Sequence, residues 1–190
     1  MALSLEQLIA IAGNYWPSGK DHDFRQEIGP EMKRLHERWE QELKKIDRWW
    51  AFLEELEDEL PGFTMGDATA TPDACFRCIA YPAQERPLPT LRWVVVGCVS
   101  ILAPVYTVYG VQFEYGETAR AFRALEFDPL RSELRGPAEV IARRIEATFG
   151  ASMLARELAD TPVPLFVQWK EPPETTLFHA LFTSQPESLP

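Results

Sequence analysis

The sequence predicts an α+β fold: a mainly antiparallel sheet of about five strands packed against a long N-terminal helix and shorter helices. Three observations carry this reading. From Met32, steps of three and four land on Leu35, Trp39, Glu42, Ile46, Trp49, Leu53, Leu56 and Leu60, all apolar except Glu42, which is the stripe of one helix over residues 30–60. Residues 91–99, LRWVVVGCV, are apolar on both faces, as in a covered central strand. Residues 105–115 instead alternate, with Val105, Thr107, Tyr109, Val111, Phe113 and Tyr115 on one face and Gln112 and Glu114 on the other, as in a half-buried strand.

Taken in order, Ser4 can cap a short helix over 4–13 that carries Leu5, Leu8, Ile9 and Ala12 at helical spacing. A loop rich in Gly, Pro and Asp follows over 15–29, with Tyr15, Trp16 and Phe24 as anchors on the core. Gly29-Pro30 opens the long helix and Pro61-Gly62 closes it, for a length of roughly 45 Å. Leu43, Trp50 and Phe52 widen its stripe, which suits packing on a sheet and assigns Trp39, Trp49 and Trp50 to the core. Strands are expected at 63–66 and 74–81, then the hairpin of 91–99 and 105–115 joined by 100–104. Residues 117–124 read as a helical turn or two. A helix opens at Gly136-Pro137, turns Val140, Ile141, Ile145 and Phe149 inward and Arg143, Arg144 and Glu146 outward, and ends at Gly150. One more short helix fits 151–159, and two closing strands fit 163–169 and 175–182. The chain reads as a single domain over 1–190, helical over 1–62 and sheet-containing over 63–190.

With 190 residues, 46% hydrophobic and 12% aromatic, the chain is long and apolar enough to bury a core. Its net charge of -10 argues against a sequence-independent grip on nucleic acid and favours a basic partner. The start of the sequence has no basic region and is interrupted by Glu6, against a secretory signal; the apolar run 93–105 is too short to span a bilayer. Three cysteines make no disulfide framework, so a cytoplasmic location is expected.

No catalytic signature stands out. Cys75 and Cys78 have the CxxC spacing, but on a strand they point to opposite faces, and Cys98 reads as a small core residue. His36, Glu37 and Glu40 resemble the helical HExxH of zinc peptidases with a carboxylate in place of the second histidine, a basis for a hydrolase or metalloenzyme alternative. Asp21-His22-Asp23 offers a base beside carboxylates, and His179 reads as a hydrogen-bonded core histidine. No GxSxG elbow, phosphate-cradling glycine loop or GxGxxG is present, and neither metal nor cofactor is expected.

The strongest surface feature is Glu54, Glu55, Glu57, Asp58 and Glu59, crowded where the helix dipole presents its negative end. Such a run is either a solvated face or a knob for a basic partner. The stretches VYTVYGVQFEYG (105–116), FDPLRSELRGPAEVIARRIEATFG (127–150), PVPLFVQW (162–169) and TLFHALF (176–182) resemble, in element order, the immunity proteins of bacterial polymorphic and contact-dependent toxin systems. The resemblance implies a small cytoplasmic binder that neutralises a cognate toxin by covering its active site, with the acidic residues meeting a basic toxin domain. A structural protein that oligomerises through the long helix is a further alternative.

Overall fold

The computed structural model describes residues 3–19, 29–83 and 90–190. The helices are α1 (Leu5–Gly13), α2 (Pro30–Leu43), α3 (Ile46–Glu59), α4 (Ser132–Phe149), α5 (Arg156–Ala159) and α6 (Leu177–Leu181). The strands are β1 (Phe63–Asp67), β2 (Cys75–Pro82), β3 (Leu91–Ser100), β4 (Val105–Tyr115), β5 (Arg120–Glu126) and β6 (Ser152–Met153). Strands β1 to β5 pair antiparallel in sequence order, which puts β3 at the centre. The two-residue β6 adds to β4 in parallel, so the sheet is mixed.

Alternation along β2 separates the two faces of the sheet. Phe76 and Cys78 point to the side covered by α3 and α4. There Phe76 stacks on Trp49 at 5.1 Å and meets Trp39 edge-on at 5.2 Å. Helix α4 lies close because β3 and β4 offer glycines beneath it: a Cβ on Gly97 would come within 2.7 Å of Ile141, and one on Gly110 within 2.6 Å of Leu134. Cys75 and Arg77 point to the other side, which is covered by the C-terminal segment. Tyr109 packs there against Phe127 and Phe178, and its hydroxyl donates to the Pro186 carbonyl at 3.1 Å. Trp16 donates to the Ala180 carbonyl at 2.7 Å, fixing the end of α1 against α6, and Ser4 caps α1 as expected.

Several expectations are corrected. The 30–60 helix is two helices of 14 residues each, broken at Lys44 and Lys45. No proline or glycine causes the break. Tertiary contacts pull the halves to different anchors: Arg38 and Trp39 donate to the carbonyls of Ile101 and Asp73, whereas Trp49 donates to the Asp67 carboxylate and Arg48 to the Thr148 carbonyl. Residues 120–126 form β5 rather than a helical turn, despite helix-favouring Ala, Arg and Leu, because pairing with β4 satisfies their backbone. Helix α4 begins at Ser132, not at Gly136-Pro137, because Leu134 seats over Gly110 and extends it upstream. Strand β4 is buried on both faces over most of its length, not half-buried.

The two closing strands are absent. Pro164 removes a backbone donor from the first, with Pro162 just before it, leaving isolated bridges at Pro162↔Thr176 and Val167↔Lys170. The second contains α6, whose start is fixed by the Thr176 N–H donating to His179 Nδ1 at 3.0 Å. Gly150 ends α4 in the left-handed region at φ 65, as read from the sequence.

Two outcomes follow for stability. Trp49 is 1% exposed and touches three other rings, so Trp49→Ala should lower the unfolding free energy by about 3–5 kcal/mol in urea denaturation. His179 titrates near 4, below its ordinary 6.5, through burial and then the charges of Lys170 and Arg156. Its folded pKa is depressed because the fold favours the neutral ring. The stability it contributes is present above pH 6.5 and lost as the pH falls towards 4. His179→Gln should flatten that acid-side loss, by about 1–2 kcal/mol once partial exposure is discounted.

Candidate functional site

The outward face of α3 gathers the most distinctive surface chemistry. Helical spacing places Trp50, Glu54, Glu57 and Asp58 at i, i+4, i+7 and i+8, on one side, with Asp47 one turn earlier. The buried stripe of Trp49, Phe52 and Leu56 faces inward and turns this side to solvent. Trp50 is therefore 45% exposed, against its expected place in the core. The last turn of α3 holds no basic residue, so carboxylates and the negative end of the dipole act together.

The five acids expected to form the interface divide into two groups. Glu59 is half-buried and accepts from Arg143 at 2.9 Å and from Arg144, while Glu55 pairs with Arg144 at 3.1 Å. Those two carboxylates fasten α3 to α4. Glu54, Glu57 and Asp58 are exposed and make no ion pair with the described residues. The surface they share with Trp50 is an indole bordered by carboxylates, suited to an arginine or lysine that can lie over the ring while its charge is paired.

No protein-family model, curated protein or solved structure matches the chain.

The other candidates do not assemble a comparable site. His36, Glu37 and Glu40 are all exposed on α2. His36 and Glu40 line a shallow groove of about 400 Å³ with Met32, Leu43 and Gln168, and Glu37 lies outside it. Cys75 and Cys78 are buried on opposite faces of β2, and burial pushes the Cys78 thiol up to about 12 and Cys75 well above its ordinary value. Both pack in the core, on opposite faces where the two thiols cannot share one metal. Among the described residues no group of three or more His, Cys, Asp and Glu is placed to hold a metal. His179 is half-buried and caps the start of α6 through Nδ1, rather than standing in a strand. Asp21, His22, Asp23 and Phe24 lie outside the described residues.

A second exposed aromatic escaped the sequence reading. Trp169 is 76% exposed at a two-residue turn closed by paired hydrogen bonds between Val167 and Lys170, where Gln168 takes φ 47. Gln168 is pinned by donating to the Pro72 carbonyl at 3.1 Å. The signal for Trp50 lay in its spacing, one position off the buried Trp49; nothing in the sequence around Trp169 distinguished it from a strand residue.

The division of the acids is open to measurement. Reversing Glu54, Glu57 and Asp58 to lysine should not lower stability and should raise it by up to about 1 kcal/mol through the helix dipole, whereas Glu59→Lys should cost about 1–2 kcal/mol by facing Arg143 and Arg144 with a like charge. Chemical denaturation of the two variants separates the solvent-facing acids from the fastening ones.

Proposed function

We propose that the chain is a protein-binding module that docks a basic partner on the outer face of α3, in the manner of an immunity protein neutralising a basic toxin domain. The observation that carries this reading is the exposed Trp50 bordered by Glu54, Glu57 and Asp58. Tryptophan is prominent among residues that anchor interfaces, and surrounding carboxylates supply attraction and register towards a basic surface. The net charge of -10 extends the same preference over the whole molecule. The resemblance to immunity proteins adds the cytoplasmic setting and the toxin as partner. Its C-terminal stretches 162–169 and 176–182 contribute little, because they are irregular and helical here and not strands. Among the described residues no helix is long and apolar enough to cross a membrane.

The reading frame immediately upstream should encode a large secreted protein ending in a basic, toxin-like domain, and that domain should co-purify with this chain. Combining Trp50→Ala with Glu54→Lys and Glu57→Lys should weaken the complex by about a hundredfold and flatten its salt dependence, with the melting temperature unchanged. Binding indifferent to that triple substitution, or no binding by the domain, overturns the reading.

A further inference from the structure

The elbow between α2 and α3 opens onto a cleft of about 320 Å³, at the lower end of the range for small-molecule sites. Its opposite wall is the 100–104 link between β3 and β4, and Phe149 at the end of α4 lines one side. Arg38, Lys45 and Arg48 surround it, with Glu42 as the one carboxylate.

The two arginines are set in place by the fold. Arg38 donates through Nε to the Ile101 carbonyl at 2.6 Å and pairs with Glu42 at 2.9 Å. Arg48 donates to the Thr148 carbonyl and lies over the Phe149 ring at 4.9 Å. Each guanidinium has five N–H donors and spends only some of them on these contacts. Lys45 stays largely outward, its side chain 66% exposed and 3.9 Å from Glu42. Three cations against one carboxylate leave a local surplus of two positive charges in a protein whose net charge is -10. That surplus matches a phosphate monoester, which carries close to two negative charges near neutral pH. The same cleft offers apolar surface from Phe149, Leu102 and Pro104 beside the cations.

We propose that this cleft binds a small organic phosphate, its anion held by Lys45 and Arg48 with Arg38 behind them, and its apolar group laid against Phe149. The site is separate from the acidic face of α3 and stands independently of the protein-binding reading.

Phenyl phosphate is the probe, titrated into the full chain with amide shifts followed by NMR, and with phenol and inorganic phosphate alongside. Saturable shifts centred on residues 45–48 and 100–104 are expected for phenyl phosphate, weaker ones for inorganic phosphate and none for phenol. Lys45→Glu, at an exposed side chain that the fold does not need, should weaken binding by about tenfold, and Glu42→Gln, which removes the competing carboxylate, should tighten it by about as much. The tightening is a result that a purely structural cluster would not give. No saturable shift, shifts unaffected by both substitutions, or equal binding of inorganic and phenyl phosphate, meaning an adventitious ion only, overturns the proposal.

Discussion

The indole of Trp49 is the constraint on which the rest of the arrangement depends. It stacks on Phe52 at 5.0 Å within its own helix and on Phe76 of β2 at 5.1 Å, and lies 6.0 Å from Phe149 at the end of α4. Its N–H donates to the Asp67 carboxylate at 3.0 Å, so this buried indole leaves no orphaned donor. Asp67 also accepts from the backbone and hydroxyl of Thr69, and Thr69 accepts from the Arg77 backbone N–H. One residue in the first turn of α3 thereby fixes α3, the end of β1, β2 and α4 relative to each other. Because Trp49 must sit there, α3 cannot continue the line of α2, whose Arg38 and Trp39 are tied to the carbonyls of Ile101 and Asp73.

The second face of the sheet solves a different problem. The C-terminal segment covers it with little regular structure, and irregular backbone in a buried setting leaves carbonyls in need of donors. Side chains of the sheet supply them. Arg77 donates to Gln185, Tyr109 to Pro186, Arg120 to Leu189 and Tyr81 to Pro190. Arg77 is only 4% exposed, a buried cation of the kind that is destabilising unless it is paired and hydrogen-bonded. It meets that condition through the Ala68 and Gln185 carbonyls and Asp73 at 3.8 Å. Burial pushes the Asp73 carboxyl up, while Thr183, Arg77 and Ser184 hold it back.

Much of this was legible in the residues and some was not, for identifiable reasons. The α+β class, the central position of 91–99, the hairpin and the Gly150 stop follow from local patterns that the tertiary structure left alone. The helix break did not, since Lys44 and Lys45 are good helix formers and the cause lies in partners distant in sequence. Glu42 was nevertheless a signal: the one polar residue in an apolar stripe marks the place where the helix leaves the core and the cleft begins. Residues 120–126 and 175–182 failed for opposite reasons. In the first, strand pairing overrode helical propensity; in the second, apolar alternation over a few residues concealed a capped helix. Of the candidate interface, the acids were visible, but which of them are spent on Arg143 and Arg144 depends on the docking of α4, and the exposure of Trp50 on the phase of the helix.

The charges of α3 link the cleft at its start to the acidic face towards its end. A helix is favoured by acids near its start and bases near its end, and α3 carries the reverse at both, with Lys45 and Arg48 at its start and Glu54 to Glu59 towards its end; Asp47 alone has the favourable sign. Part of the reversal serves the fold, because Arg48 holds Thr148 and Phe149, and Glu55 and Glu59 hold α4. Subtracting those leaves Lys45 beside the cleft at one end and Glu54, Glu57 and Asp58 around Trp50 at the other. Each is placed against the dipole at a cost of a few tenths of a kcal/mol; the three acids make no ion pair with the described residues, and Lys45 makes only a long one, 3.9 Å, to Glu42. Charges that oppose stability and anchor little within the chain are the ones whose partners are best sought outside it.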